Sequence, residues 1–141
     1  MKSARTLITI CLLFTAASLF GQTENRALMK VNIPFTFTAE NTTLPAGDYV
    51  ISTVTPERQI RIASADGKHS LIVNTLPNYT NALSPNSRLV FDKYGNDYFL
   101  AQVWTAHKDV ARNPYVSKRA MELARSGVHP EKEVILAYTG H

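Results

Sequence analysis

The chain holds 141 residues, 45% of them hydrophobic and 18% charged, with 15 Lys+Arg, 11 Asp+Glu and one Cys. That length accommodates one domain of ordinary size. The composition excludes a disordered tail, a collagen-like repeat and a disulfide scaffold, and it points to no particular chemistry.

Lys2 and Arg5 precede an apolar-rich stretch at residues 7–14, followed by the small residues Ala16, Ala17, Ser18 and Gly21. A short basic region, an apolar core and a small-residue exit describe a secretory signal peptide, here residues 1–21. A membrane anchor would need about 20 consecutive apolar residues, and Thr9, Thr15 and Ser18 dilute a run that ends by Phe20. Cleavage after Gly21 or after Ser18 fits the pattern. Cys11 lies in the apolar stretch behind Ile10, which is not the small residue a lipoprotein signal requires, so it leaves with the signal. The mature chain, residues 22–141, is expected to form a single β-rich domain with neither disulfide nor thiol nucleophile. Loss of Lys2 and Arg5 leaves 13 basic residues against 11 acidic ones, so the net charge falls from +4 to +2. No Lys/Arg run remains, and nucleic acid is not an expected partner.

Val31, Ile33, Phe35 and Phe37 alternate with polar positions, which predicts a half-buried strand. Pro34 places that strand at an edge or on a bulge. Residues 42–48 hold Pro45-Ala46-Gly47 and read as a turn, and residues 49–55 as a second strand. Asp66-Gly67, between residues 58–65 and 68–75, predicts a hairpin with a type I′ turn. Residues 76–86, with Pro77 and Pro85, read as a long polar loop. A second hairpin is expected around Tyr94-Gly95-Asn96. Its second strand, residues 98–104, is apolar on both parities and so should be covered on both faces.

The period then changes. Asn113-Pro114 reads as a helix opening, with Val116, Ala120, Leu123 and Ala124 as the buried stripe and Gly127 as the stop. Lys118, Arg119 and Arg125 read as its solvated face. Residues 133–139 close the chain as a strand. Six or seven strands with one late helix predict a mainly β fold, either a β-sandwich or a small, partly open β-barrel, with the helix before the last strand.

Ile33-Pro34-Phe35-Thr36-Phe37, Leu44-Pro45-Ala46-Gly47-Asp48-Tyr49, Ala65-Asp66-Gly67 and Tyr98-Phe99-Leu100-Ala101 together resemble a group of short exported bacterial β-rich proteins with no assigned activity. The resemblance covers nearly the whole mature chain. It implies an exported all-β domain and supplies no catalytic residue, because its motifs are turns and core strands.

Catalytic and metal chemistry find little footing. His69, His107, His129 and His141 are scattered, and His129-Pro130-Glu131 with His141 is the best metal cluster available. It lacks the regular spacing of converging zinc ligands, so no metal is expected. Ser64, Ser70 and Ser84 stand in no nucleophile motif. Asp92, Asn96 and Asp97 surround Gly95 but depart from the spacing of a calcium loop. The dispersed glycines make no phosphate loop, and no cofactor is expected. Asn41-Thr42-Thr43 and Asn78-Tyr79-Thr80 match the glycosylation sequon and are read as chance.

Aromatic residues supply the candidate binding surface: Tyr79 and Tyr94 in or near loops, and Tyr98 and Trp104 on one parity of a strand. Exposed, they would suit sugar stacking or a protein partner; buried, they would serve as core. The expected function is therefore an exported small β domain with a non-catalytic binding or structural role. Its partner would be a protein or an envelope polysaccharide, with no transmembrane span after signal removal. A carrier of a small apolar ligand inside a barrel is the alternative, and a hydrolase assembled from loop residues stands third.

Overall fold

The computed structural model describes residues 26–138. The expected signal peptide, Cys11 and His141 lie outside them. Alternation places Met29, Val31 and Ile33 of β1 (Ala27–Ile33) on one buried face. Pro34 has no N–H for a ladder, and the strand stops before it, dividing what the pattern presented as one strand. The chain resumes as β2 (Phe37–Ala39), against which β3 (Thr42–Leu44) returns, so part of the expected turn is strand. β1 pairs only with β4 and is an edge strand, as Pro34 implies.

β4 (Gly47–Thr55), β5 (Gln59–Ser64) and β6 (Ser70–Tyr79) form an antiparallel meander. The hairpin at Asp66-Gly67 is present, but its turn is not type I′. Only Gly67 is left-handed, at φ +76°, while Asp66 accepts hydrogen bonds from Ser64 Oγ (2.6 Å) and Lys68 N (2.9 Å). β7 (Arg88–Tyr94) and β8 (Asp97–Trp104) make the second hairpin, with Gly95 at φ +62°. β9 (Val110–Pro114), α1 (Lys118–Arg125) and β10 (Glu131–Leu136) follow.

The fold is mainly β, with its helix before the last strand, and the ten described strands form one open sheet. Six or seven were expected; β2, β3 and β9 are too short for periodicity to reveal. Neighbours run antiparallel in the order β1-β4-β5-β6-β9-β8-β7-β10, and β2 adds a short parallel contact to β8. The sheet is not closed into a barrel. Its ends meet where Tyr138 N donates to Lys30 O (2.8 Å) and the Tyr138 hydroxyl donates to Asp48 Oδ1 (3.0 Å).

β6 is the joint of the sheet. Ser70–Asn74 pair with β5, and Thr75–Tyr79 pair with β9. Residues 76–79 are thus strand, not loop. Thr75 N donates toward β5 (to Arg58 O) and Thr80 N toward the β9 side (to Asp109 O), so by alternation Pro77 N points to the side β5 has vacated. Its missing N–H costs the ladder nothing.

The core lies inside the curled sheet, where Phe37 packs edge-on against Tyr49 and Phe91. β8 is covered on both faces, as its sequence implied: Leu100 joins this core and Phe99 lies under α1. Asn113-Pro114 ends β9 instead of opening the helix. Ser117 is the N-cap, its Oγ accepting from Ala120 N (3.0 Å). Ala120 and Leu123 dock on Tyr94 and Phe99, whereas Val116 and Ala124 of the expected stripe are exposed. Gly127 (φ +84°) stops the helix as expected, its N–H donating to Ala124 O. No helix among the described residues is long and apolar enough to cross a membrane.

Candidate functional site

The four candidate aromatics do not share a surface. Between Val90 and Phe91 the β7–β8 register shifts, so one residue of β8, Ala101, has no partner across from it. The bulge reverses the alternation. Tyr98 therefore points inward and stacks on Phe35 (3.7 Å between centroids), while Trp104 points outward beneath the Arg88 guanidinium (4.7 Å). Phe99, two places from Ala101, is outward as well. Tyr94 is buried under α1, edge-on to Phe99 at 5.8 Å. Only Tyr79 is largely exposed, at 63%.

Tyr79 flanks a surface groove of about 600 Å³ at the joint of β6, shared with Tyr115, Leu76 and Pro77. Tyr115 is 52% exposed and follows the strand-ending Pro114 directly. Sequence reasoning passed over it, because Asn113-Pro114 made that segment look like a helix start. The signal available was an aromatic next to a proline in a polar run.

Hydrogen bonds hold the groove's shape. The Tyr79 hydroxyl donates to Glu57 Oε2 (2.6 Å), and Glu57 sits in the left-handed region (φ +60°), pinned by Thr75 Oγ1 donating to its carbonyl (3.0 Å). A left-handed conformation in a non-glycine residue costs free energy and persists only where its surroundings enforce it. Across the floor, Thr55 Oγ1 donates to Gln59 Oε1 (3.2 Å) and Gln59 Nε2 to Asn74 Oδ1 (3.1 Å). The main chain is satisfied too: Asn74 N donates to Glu40 Oε1, Asn74 O accepts from Tyr115 N, and Thr75 N donates to Arg58 O.

The Glu57 carboxylate, accepting the phenol's hydrogen bond, holds the Tyr79 pKa above its ordinary 10.0. Asp48 does the same for Tyr138, and burial does so for Tyr49. A group whose folded pKa is raised contributes stability that is complete below the unfolded value and is lost as pH rises through the folded value. Unfolding at alkaline pH should therefore accompany ionisation of late-titrating phenols. An ultraviolet titration of native protein should resolve them, and Tyr79→Phe should remove one. Simultaneous ionisation of all six tyrosines at the ordinary value would contradict this.

A second groove of about 620 Å³ lies between the β2–β3 hairpin, the β7–β8 turn and the start of α1. Its rim ions Arg119 and Glu122 pair with each other (3.6 Å). Its aromatics are committed: Tyr98 to Phe35, and Phe99 to the helix. It offers no free ring face.

The remaining chemistry disperses. Ser64, Asp66 and His69 meet at the β5–β6 turn, but Ser64 Oγ donates to the Asp66 carboxylate and accepts from the His69 backbone. That arrangement fixes a turn; it is not a hydroxyl passing its proton to an imidazole. Asp92 pairs with Lys132 instead of gathering with Asn96 and Asp97. No three metal-ligating side chains converge among the described residues. Arg112 is buried, its pKa lowered by burial and partly restored by the Glu57 charge, and it lines neither groove.

The described residues thus make an open β-sheet domain with a tyrosine-flanked surface groove. Compared with known proteins, the chain matches no protein-family model, and neither a curated protein nor a solved structure is significantly similar to it.

Proposed function

We propose that this chain is an exported β domain with a non-catalytic binding role, and that its partner docks in the groove between Tyr79 and Tyr115. The basic-apolar-small order of residues 1–21 and the resemblance to exported bacterial proteins support export. The observation that carries the binding reading is aromatic surface that packing does not use: Tyr79 and Tyr115 are more than half exposed beside Leu76, itself 58% exposed, and Tyr79 is anchored through its hydroxyl. Exposed aromatic anchors with rigid orientation are what interfaces employ.

The carrier reading needs an empty interior. Ile60, Ile62, Phe91 and Val103 point into the sheet and have no solvent exposure, which favours a filled core at ordinary packing density. Mature protein should therefore leave fatty acids and a fluorescent apolar probe unbound, and its intact mass should lack about 18–21 residues of the chain. It should be retained by cell-envelope material, with retention lost in a Tyr79→Ala/Tyr115→Ala double variant. Saturable uptake of an apolar ligand, or retention indifferent to the double substitution, would sink the proposal.

A further inference from the structure

We infer that the groove at the β6 joint binds a neutral oligosaccharide segment; this rests on the groove being the binding site. Four features of the groove lead to that ligand class.

The first is how the rings are offered. Tyr79 has its hydroxyl committed to Glu57, so the ring is held in place while the residue stays 63% exposed. Tyr115 and Leu76 add apolar surface in the same groove. A pyranose has an apolar face of C–H groups ringed by hydroxyls, and a fixed phenol face complements it.

The second is the polar complement. Thr55, Gln59 and Asn74 form a neutral hydrogen-bonded row, and each side-chain amide has more bonding capacity than that row consumes. Asn74 Nδ2 donates to none of the described residues, and Glu57 Oε1 accepts from none. Spare amide donors beside a spare carboxylate acceptor match sugar hydroxyls, which donate and accept at once.

The third feature disfavours a peptide strand. Strand addition needs unpaired main-chain groups along an edge. Here Asn74 N, Asn74 O and Thr75 N are already bonded to Glu40, Tyr115 and Arg58. Pro77 supplies no N–H at the next position on the vacated side. Pro77 thus interrupts the row of N–H donors that an added strand would need.

The fourth is charge and size. Among the described residues that line the groove, Glu57 is the one carboxylate and Arg58 the one cation, so their charges balance and favour no anionic chain. The volume of about 600 Å³ falls within the range of small-ligand sites.

Titration calorimetry with cello-, laminari-, xylo- and manno-oligosaccharides tests the inference on mature full-length protein. At least one series should bind. Tyr115→Ala should weaken that binding by about tenfold, as removal of an aromatic anchor does; Tyr115→Phe should retain it, and Trp104→Phe should leave it unchanged. Unaltered thermal melting of Tyr115→Ala separates lost contact from lost fold, since Tyr115 lies outside the core. If no saccharide binds while envelope retention still depends on the groove and disappears after protease treatment of the envelope, the partner is a protein and the saccharide assignment falls, the site surviving. If saccharides bind equally well to the Tyr79→Ala/Tyr115→Ala variant, the groove itself is overturned.

Discussion

Phe91→Ala is expected to cost about 3–5 kcal/mol, the usual loss on truncating a buried phenylalanine. Phe91 has no solvent exposure and is wedged edge-on between Phe35 (5.0 Å) and Phe37 (5.6 Å). Its strand, β7, is held on both sides, by β8 and β10, so the backbone has little freedom to collapse into the void. Domains of this size are stable by only about 5–15 kcal/mol, and the sole cysteine lies outside the described residues, so no crosslink among them limits the damage. Urea unfolding should show a large drop in midpoint with an unchanged slope. A loss below about 1 kcal/mol would mean that the site refills, contrary to the packing described.

The second large effect is Phe99→Ala, expected at about 3 kcal/mol, the lower end for such a truncation because Phe99 lies on the outer face. Phe99 and Tyr94 are the floor on which Ala120 and Leu123 rest. Removing it should free α1 before the sheet, so amide exchange should accelerate across residues 118–125 while Val31, Ile62 and Leu89 stay protected. Leu123→Asp should cost less, about 1–2 kcal/mol, because Leu123 is only half-buried. Lys118→Ala should fall within about 0.5 kcal/mol, as its side chain is exposed. Equal exchange rates in helix and sheet after Phe99→Ala would show that the helix is not a separately docked element.

The candidate site was half legible. Tyr79 is recoverable as an aromatic two places after Pro77, although its segment reads as loop from the sequence and is the end of a strand. Tyr115 was hidden behind a helix-start motif that here ends a strand. Asn-Pro followed by an apolar residue suits either role, and the choice falls to whichever partner takes up the backbone groups; β6 supplies that partner.

Local physics accounts for what the sequence determined unaided. Period-2 alternation in β5 and, as far as Ile33, in β1, the positions of the Asp66-Gly67 and Gly95-Asn96 turns, the two-faced apolar β8 and the Gly127 stop are set by neighbours in the chain. Two local expectations fail: Pro34 divides the first strand, and the Asp66-Gly67 turn is not type I′. Tertiary structure decided the rest. Parity along β8 depends on a bulge that only the β7 register creates, and it sends Tyr98 inward and Trp104 outward. β6 changes partners at Asn74, which no local pattern records, because the change is made by β5 ending and β9 arriving from residues more than thirty positions away. The groove exists at that exchange, between elements distant in sequence, and its residues acquire a common surface only when the sheet has formed.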